Sequence, residues 1–186
     1  MKIILTTLLL VTLFLVGCTD TPISPVKSEN HSYQLIKLPK KSNLAVENSY
    51  SVTQTIDGAQ GGIVRLDESY VAQDGHTVYI DVKLTISHDA FPGVVDITIT
   101  ADDDYAAVQF SPEMTFDIPL QLDLTFIGLD LDSLNLTTGD YDFVFIDEEG
   151  NIETIGYNAI HVTEDQGKLW VTHADIPHFS RYGFIN

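Results

Sequence analysis

Val78-Tyr79-Ile80-Asp81-Val82-Lys83-Leu84-Thr85-Ile86-Ser87 decides the fold of this chain. Its apolar residues fall at every second position, so Val78, Ile80, Val82, Leu84 and Ile86 share one face of an extended strand and the polar residues share the other. Working outward, Val95, Ile97, Ile99 and Ala101 alternate with Asp96, Thr98, Thr100 and Asp102. Phe116, Ile118, Leu120, Leu122, Leu124 and Phe126 repeat the pattern, with Asp117, Gln121, Asp123 and Thr125 on the outer face. Further strand candidates are Tyr141 to Ile146, Ile152 to Ile155, Ala159 to Thr163 and Lys168 to His173. Turn residues separate them at Asp74-Gly75, Pro92-Gly93, Thr138-Gly139-Asp140, Glu149-Gly150-Asn151 and Gln166-Gly167. Asp147 to Asn151 reads as a hairpin turn, and no window carries a helical stripe. Short strands, each with one buried face, predict an all-β protein built as an antiparallel β-sandwich.

Cys18 is the only cysteine, which excludes an intramolecular disulfide and a cysteine zinc site. The fold therefore depends on its apolar core, and residues 44–186 are long enough for one domain. From Leu44 onward four basic residues (Arg65, Lys83, Lys168 and Arg181) face 25 carboxylates, a net charge of −21. So acidic a body repels nucleic acid and anionic headgroups. The acidity serves solubility or an acidic binding face. Between Cys18 and Asn43 the balance reverses, with Lys27, Lys37, Lys40 and Lys41 against Asp20 and Glu29, a net +2. That stretch is polar and interrupted by Pro22, Pro25 and Pro39, and it reads as a flexible tether able to lie near a negative membrane surface. The Tyr33-Gln34-Leu35-Ile36 patch is its one candidate for docking on the domain.

The chain begins with Lys2 and an apolar run from Ile3 to Val16, too short to span a bilayer, which takes roughly 20 apolar residues. A charged start and a short apolar middle fit a secretory signal peptide. Leu15-Val16-Gly17-Cys18 resembles the lipobox of bacterial lipoproteins. That resemblance implies a signal peptide over residues 1–17, lipid on Cys18, a tether over 18–43 and a domain over 44–186. Thr19 after the cysteine, where inner-membrane lipoproteins of enteric bacteria often carry Asp, implies the outer membrane in a Gram-negative host.

A second resemblance spans about residues 58–184. Gly61-Gly62-Ile63-Val64, Phe110-Ser111-Pro112-Glu113, Phe116 to Leu122, the acidic hairpin from Tyr141 to Ile155 and the closing His178 to Phe184 follow an order similar to the ZU5 domain of ankyrins, zonula-occludens proteins and netrin receptors. Ser87-His88-Asp89-Ala90-Phe91 departs from the family's proline-glycine-alanine-leucine stretch. The resemblance implies a ZU5-like β-sandwich that mediates protein contacts, with no cofactor.

His178-Phe179-Ser180, followed by Arg181, Tyr182 and Gly183, resembles the cleavage point of the nucleoporin autoproteolytic domain. Carried over, Ser180 attacks the Phe179 carbonyl in an N-to-O acyl shift, assisted by His178, provided the peptide is strained. The alternative is a structural last strand with Phe179, Tyr182 and Phe184 in the core. His173, Asp175 and His178 place two imidazoles and a carboxylate within six residues. Strand geometry puts residues 173 and 175 on one face and 178 off it, so no metal site is expected. Asp102-Asp103-Asp104 and Asp130-Leu131-Asp132 are candidate calcium loops, but neither has EF-hand spacing. Trp170 and Tyr157 read as caps on the core. The expectation is an envelope lipoprotein, bound to the membrane through Cys18, that presents a non-enzymatic sandwich for protein contacts. Self-cleavage at Phe179-Ser180 and a calcium-stabilised adhesion module are the alternatives.

Overall fold

A computed structural model describes residues 33–42, 50–134 and 138–186. The expected signal peptide over residues 1–17, Cys18 and the expected tether up to residue 32 lie outside the described residues. Among the described residues, no helix is long and apolar enough to cross a membrane.

The strands are β1 (Ser51–Asp57), β2 (Gly62–Val71), β3 (Thr77–Ile86), β4 (Val94–Ala101), β5 (Ala107–Ser111), β6 (Thr115–Ile127), β7 (Asp142–Ile146), β8 (Ile152–Thr154), β9 (Ala159–Thr163), β10 (Lys168–His178) and β11 (Arg181–Ile185). They form two antiparallel sheets, ordered β1-β4-β5-β11-β7-β8 and β2-β3-β6-β10-β9. The sheets pack face to face, as the alternating pattern predicts. Val78, Ile80, Val82, Leu84 and Ile86 from β3 and Leu120, Leu122, Leu124 and Phe126 from β6 enter one core. Ile97 and Ile99 of β4 and Tyr182 and Phe184 of β11 meet them from the other sheet. Removing this apolar area from water is the main drive for folding. The Asp147–Asn151 turn joins β7 to β8, with Gly150 at a positive φ of 83° and the Asp147 carboxylate accepting from the Asn151 backbone N–H at 2.7 Å.

Two irregularities break the pairing of β6 with β10. At the first, Thr172 and His173 lie opposite Asp123 alone, and His173 takes the left-handed conformation at φ 49°. At the second, Pro177 of β10 lies opposite a stretch of β6 that contains Pro119. Neither proline can donate to the ladder, so the register slips there. Ile118, expected on the buried face, is 58% exposed at this slip. Trp170 also differs from expectation. Its neighbours Leu169 and Val171 are fully buried, so Trp170 faces outward.

The expected tether ends earlier than position 43. Residues 33–42 pack on the sandwich, with Ile36 and Leu38 in the core at 3% and 7% exposure. Ile36 donates to the Phe184 carbonyl and Leu38 to that of Asp104, at 3.0 and 2.8 Å. Ser42 then donates to Val71, at the end of the other sheet. This strap contributes only two alternating buried residues before Pro39, too few to register as a strand pattern.

Candidate functional site

His178-Phe179-Ser180 marks the point where the chain leaves one sheet for the other, between β10 and β11. Phe179 is buried, its ring stacked 5.5 Å from Phe110 and edge-on 4.9 Å from Phe116. Its N–H donates to the Met114 carbonyl at 2.8 Å, and the Ser180 carbonyl accepts from Phe110 N–H at 2.9 Å. The Phe179-Ser180 peptide is thus anchored on both flanks. A pocket of about 430 Å³ opens here, between the triplet and Glu113, Met114 and Phe145.

The His178 ring stands edge-on to Phe145 at 4.6 Å. The Tyr182 hydroxyl donates to the His178 carbonyl at 2.7 Å, and burial pushes that phenol well above its ordinary range. Phe179, Tyr182 and Phe184 all enter the core. The left-handed residues of the described chain outside glycine are Asp89 and His173, so that backbone strain falls outside the triplet.

The sheet separates His173, Asp175 and His178. The His173 imidazole lies 3.7 Å from Asp123, Asp175 accepts from Gln121 Nε2 at 2.7 Å, and His178 packs on Phe145 and Tyr182. Among the described residues, no group of three His, Cys, Asp or Glu side chains is placed to hold a metal ion.

In the acidic loops, Asp102, Asp103 and Asp130 make contacts within the fold. One Asp102 oxygen accepts the backbone N–H groups of Asp104 and Tyr105, both at 2.9 Å, and the other meets Arg181 Nη2 at 2.6 Å. Asp103 pairs with Lys41 of the strap at 2.6 Å. Asp130 accepts from Ser133 in the short helical turn beside it.

Three features escaped the sequence. The first is the bulge at His173. Asp123 is the cross-strand partner of Lys83, and its two oxygens accept from His173 N–H at 2.9 Å and Lys83 Nζ at 3.0 Å. Burial works to raise the Asp123 pKa, but the His173 N–H and the Lys83 hydrogen bond and charge outweigh it and hold the carboxyl below its usual range. The second is Trp170, whose ring meets both His161, stacked at 4.7 Å, and the Lys168 ammonium at 4.3 Å. The third is a cavity of about 690 Å³ between the strap and the turns at 128–134 and 164–167, lined in part by Asp74, Asp130 and Glu164. His76 braces its rim, one ring nitrogen on the Asp74 carboxylate and the other 2.8 Å from the Gly128 carbonyl.

The fold and these contacts define an all-β sandwich of two antiparallel sheets. Comparison with protein-family models, curated proteins and solved structures returns no match.

Proposed function

We propose that this chain is a lipid-anchored protein of the cell envelope whose ZU5-like sandwich presents a contact surface to other proteins. The address rests on Gly17-Cys18 at the end of the apolar run, and the acidic body, repelled by anionic headgroups, suits a domain held off the membrane. The observation that carries the non-enzymatic reading is where the chemistry-bearing side chains are spent. Asp102 holds Arg181 and its own turn, Asp123 holds Lys83 and the bulge, Asp175 holds Gln121, and His178 packs on Phe145. Each of these groups stabilises the fold.

Metabolic labelling with an alkyne fatty acid tests the address. The natural chain incorporates the label and fractionates with membranes, in the outer membrane of a Gram-negative host, and Cys18→Ser abolishes both. Labelling that survives Cys18→Ser removes the proposal.

A second reading rests on the anchored Phe179-Ser180 peptide beside its pocket. In it, the Ser180 hydroxyl adds to the Phe179 carbonyl carbon, the peptide nitrogen leaves as the Ser180 amine, and water hydrolyses the resulting ester. The products end at Phe179 and begin at Ser180. Intact mass separates the readings, since a single species running through Asn186 eliminates cleavage.

A further inference from the structure

Strand β11 pairs with β5 as far as Gly183 with Ala107, Phe184 N–H donates once more to the Ala106 carbonyl at 3.0 Å, and beyond that bond a slot runs beside the Phe184 carbonyl and Asn186. The strap fills it. Gln34 and Asn186 exchange backbone hydrogen bonds at 3.2 and 3.0 Å, Leu35 bridges Ile185, and Ile36 both donates to Phe184 and accepts from Ala106. The strap is therefore held on two sides, by the end of β11 and by the Asp104–Ala106 bend. Ile36 and Leu38 fill two apolar sites two residues apart, while Lys37 and Lys40 stay exposed.

The charges match as well. Lys41 pairs with Asp103 and lies 4.4 Å from the Tyr50 ring centroid, in a body that is otherwise strongly acidic. Burial of Ile36 and Leu38 and the strap's backbone hydrogen bonds work against the entropy of ordering ten residues, which leaves the hold in cis open to competition.

We infer that this slot is a peptide-binding groove, filled in cis by residues 33–42 and open to replacement by an extended partner segment with two apolar residues in alternation and lysines beside them. The partner adds as a strand, its backbone supplying affinity and the apolar sites and acidic rim supplying selectivity. The strap is then a built-in competitor. A population of undocked strap sets the apparent affinity of the partner. The inference rests on the contact reading above but is separable from it. A partner that binds another face leaves that reading standing and removes this one.

The test uses the full chain in mild detergent and a labelled peptide with the sequence of residues 33–42. In Ile36→Asn/Leu38→Asn the strap no longer fills the apolar sites, so fluorescence anisotropy should show at least tenfold tighter peptide binding than to the natural chain. A scrambled peptide and one with its lysines changed to glutamate should bind at least tenfold more weakly. Equal binding to both proteins, or none to a variant that retains its β-sheet circular dichroism, overturns the inference. If that variant fails to fold, a protease site placed between Ser42 and Tyr50 severs the strap after folding. Exchange of the severed strap for added peptide, read by size exclusion, supports the groove. A strap that cannot be exchanged, or a body that unfolds on cleavage, overturns it.

Discussion

Asp123→Asn isolates one electrostatic device that ties three strands of the sandwich. The carboxylate accepts from two donors on different strands, the His173 N–H at 2.9 Å and Lys83 Nζ at 3.0 Å. An asparagine keeps the shape but offers one acceptor and one donor, so one of the two loses its partner. A hydrogen bond to a charged group is worth about 1.5–3 kcal/mol. Lys83 and Asp123 keep 29% and 30% of their side-chain surfaces in water, so solvent screening reduces their share toward the ~0.2–1 kcal/mol of an exposed pair. The expected loss is about 1–2 kcal/mol, or about 3–8 °C in Tm. Because the folded chain holds this carboxyl below its usual range, the contribution is complete at neutral pH and is lost as pH falls through the folded value. The difference between natural chain and variant should therefore shrink as pH is lowered from about 7 toward about 3. Urea unfolding followed by circular dichroism and by Trp170, the only tryptophan, reads both quantities. Equal stability at neutral pH, or a difference that does not change with pH, refutes the reasoning.

Relief of the left-handed backbone at His173 makes the opposite prediction. His173→Gly should raise stability by about 0.5–1 kcal/mol at neutral pH in the same urea assay, because the backbone N–H still reaches Asp123. A Cβ on Gly183 would sit 2.7 Å from the Ala107 Cβ, so Gly183→Ala should lower Tm by an amount equivalent to about 1–3 kcal/mol in thermal melts. Phe179→Ala empties the space between Phe110 and Phe116 and should cost about 3–5 kcal/mol in urea unfolding. Burial and a hydrogen bond to Asp142 push the Tyr157 phenol up to about 12. Spectrophotometric titration should show one tyrosine ionising near there, absent in Tyr157→Phe. The folded state keeps this proton where the unfolded chain releases it, so its stabilising contribution is lost as pH climbs above about 10.

The sandwich was legible wherever burial is one-sided and unbroken. β3 and the second half of β6 alternate without interruption, and every apolar residue predicted inward there is buried. Legibility fails where pairing with a distant strand decides the outcome. Ile118 keeps the alternation, yet it is exposed where the β6–β10 register slips, with Pro177 opposite residues 116–119. β1 was invisible because an edge strand buries little, with only Ile56 fully enclosed. The left-handed turn at His173 carries no local signal. Histidine does not favour that conformation as glycine does, and only the Asp123 carboxylate opposite explains it. The same non-locality scattered the His173, Asp175 and His178 constellation. Three residues close in sequence were assigned by a bulge and a proline to three different surroundings.

The strap also changes what the chain's charge asymmetry means. Counted along the sequence, the lysines before Asn43 form a mildly basic segment with a membrane to face. In the fold, Lys41 instead lies against Asp103 and the Tyr50 ring, and its neighbour Lys40 accepts the Gln73 N–H through its carbonyl. Part of the positive charge is consumed inside the domain, where it offsets a body that repels itself. In the proposed anchored chain, membrane attraction and strap docking therefore compete for the same residues and respond differently to their removal. Lys41→Gln should speed amide hydrogen exchange at Ile36, Leu38 and Ala106, whose bonds hold the strap, and leave association with anionic vesicles unchanged. The reverse pattern, exchange unaltered and vesicle binding weakened, would return Lys41 to the membrane and leave the strap held by Ile36, Leu38 and its backbone bonds.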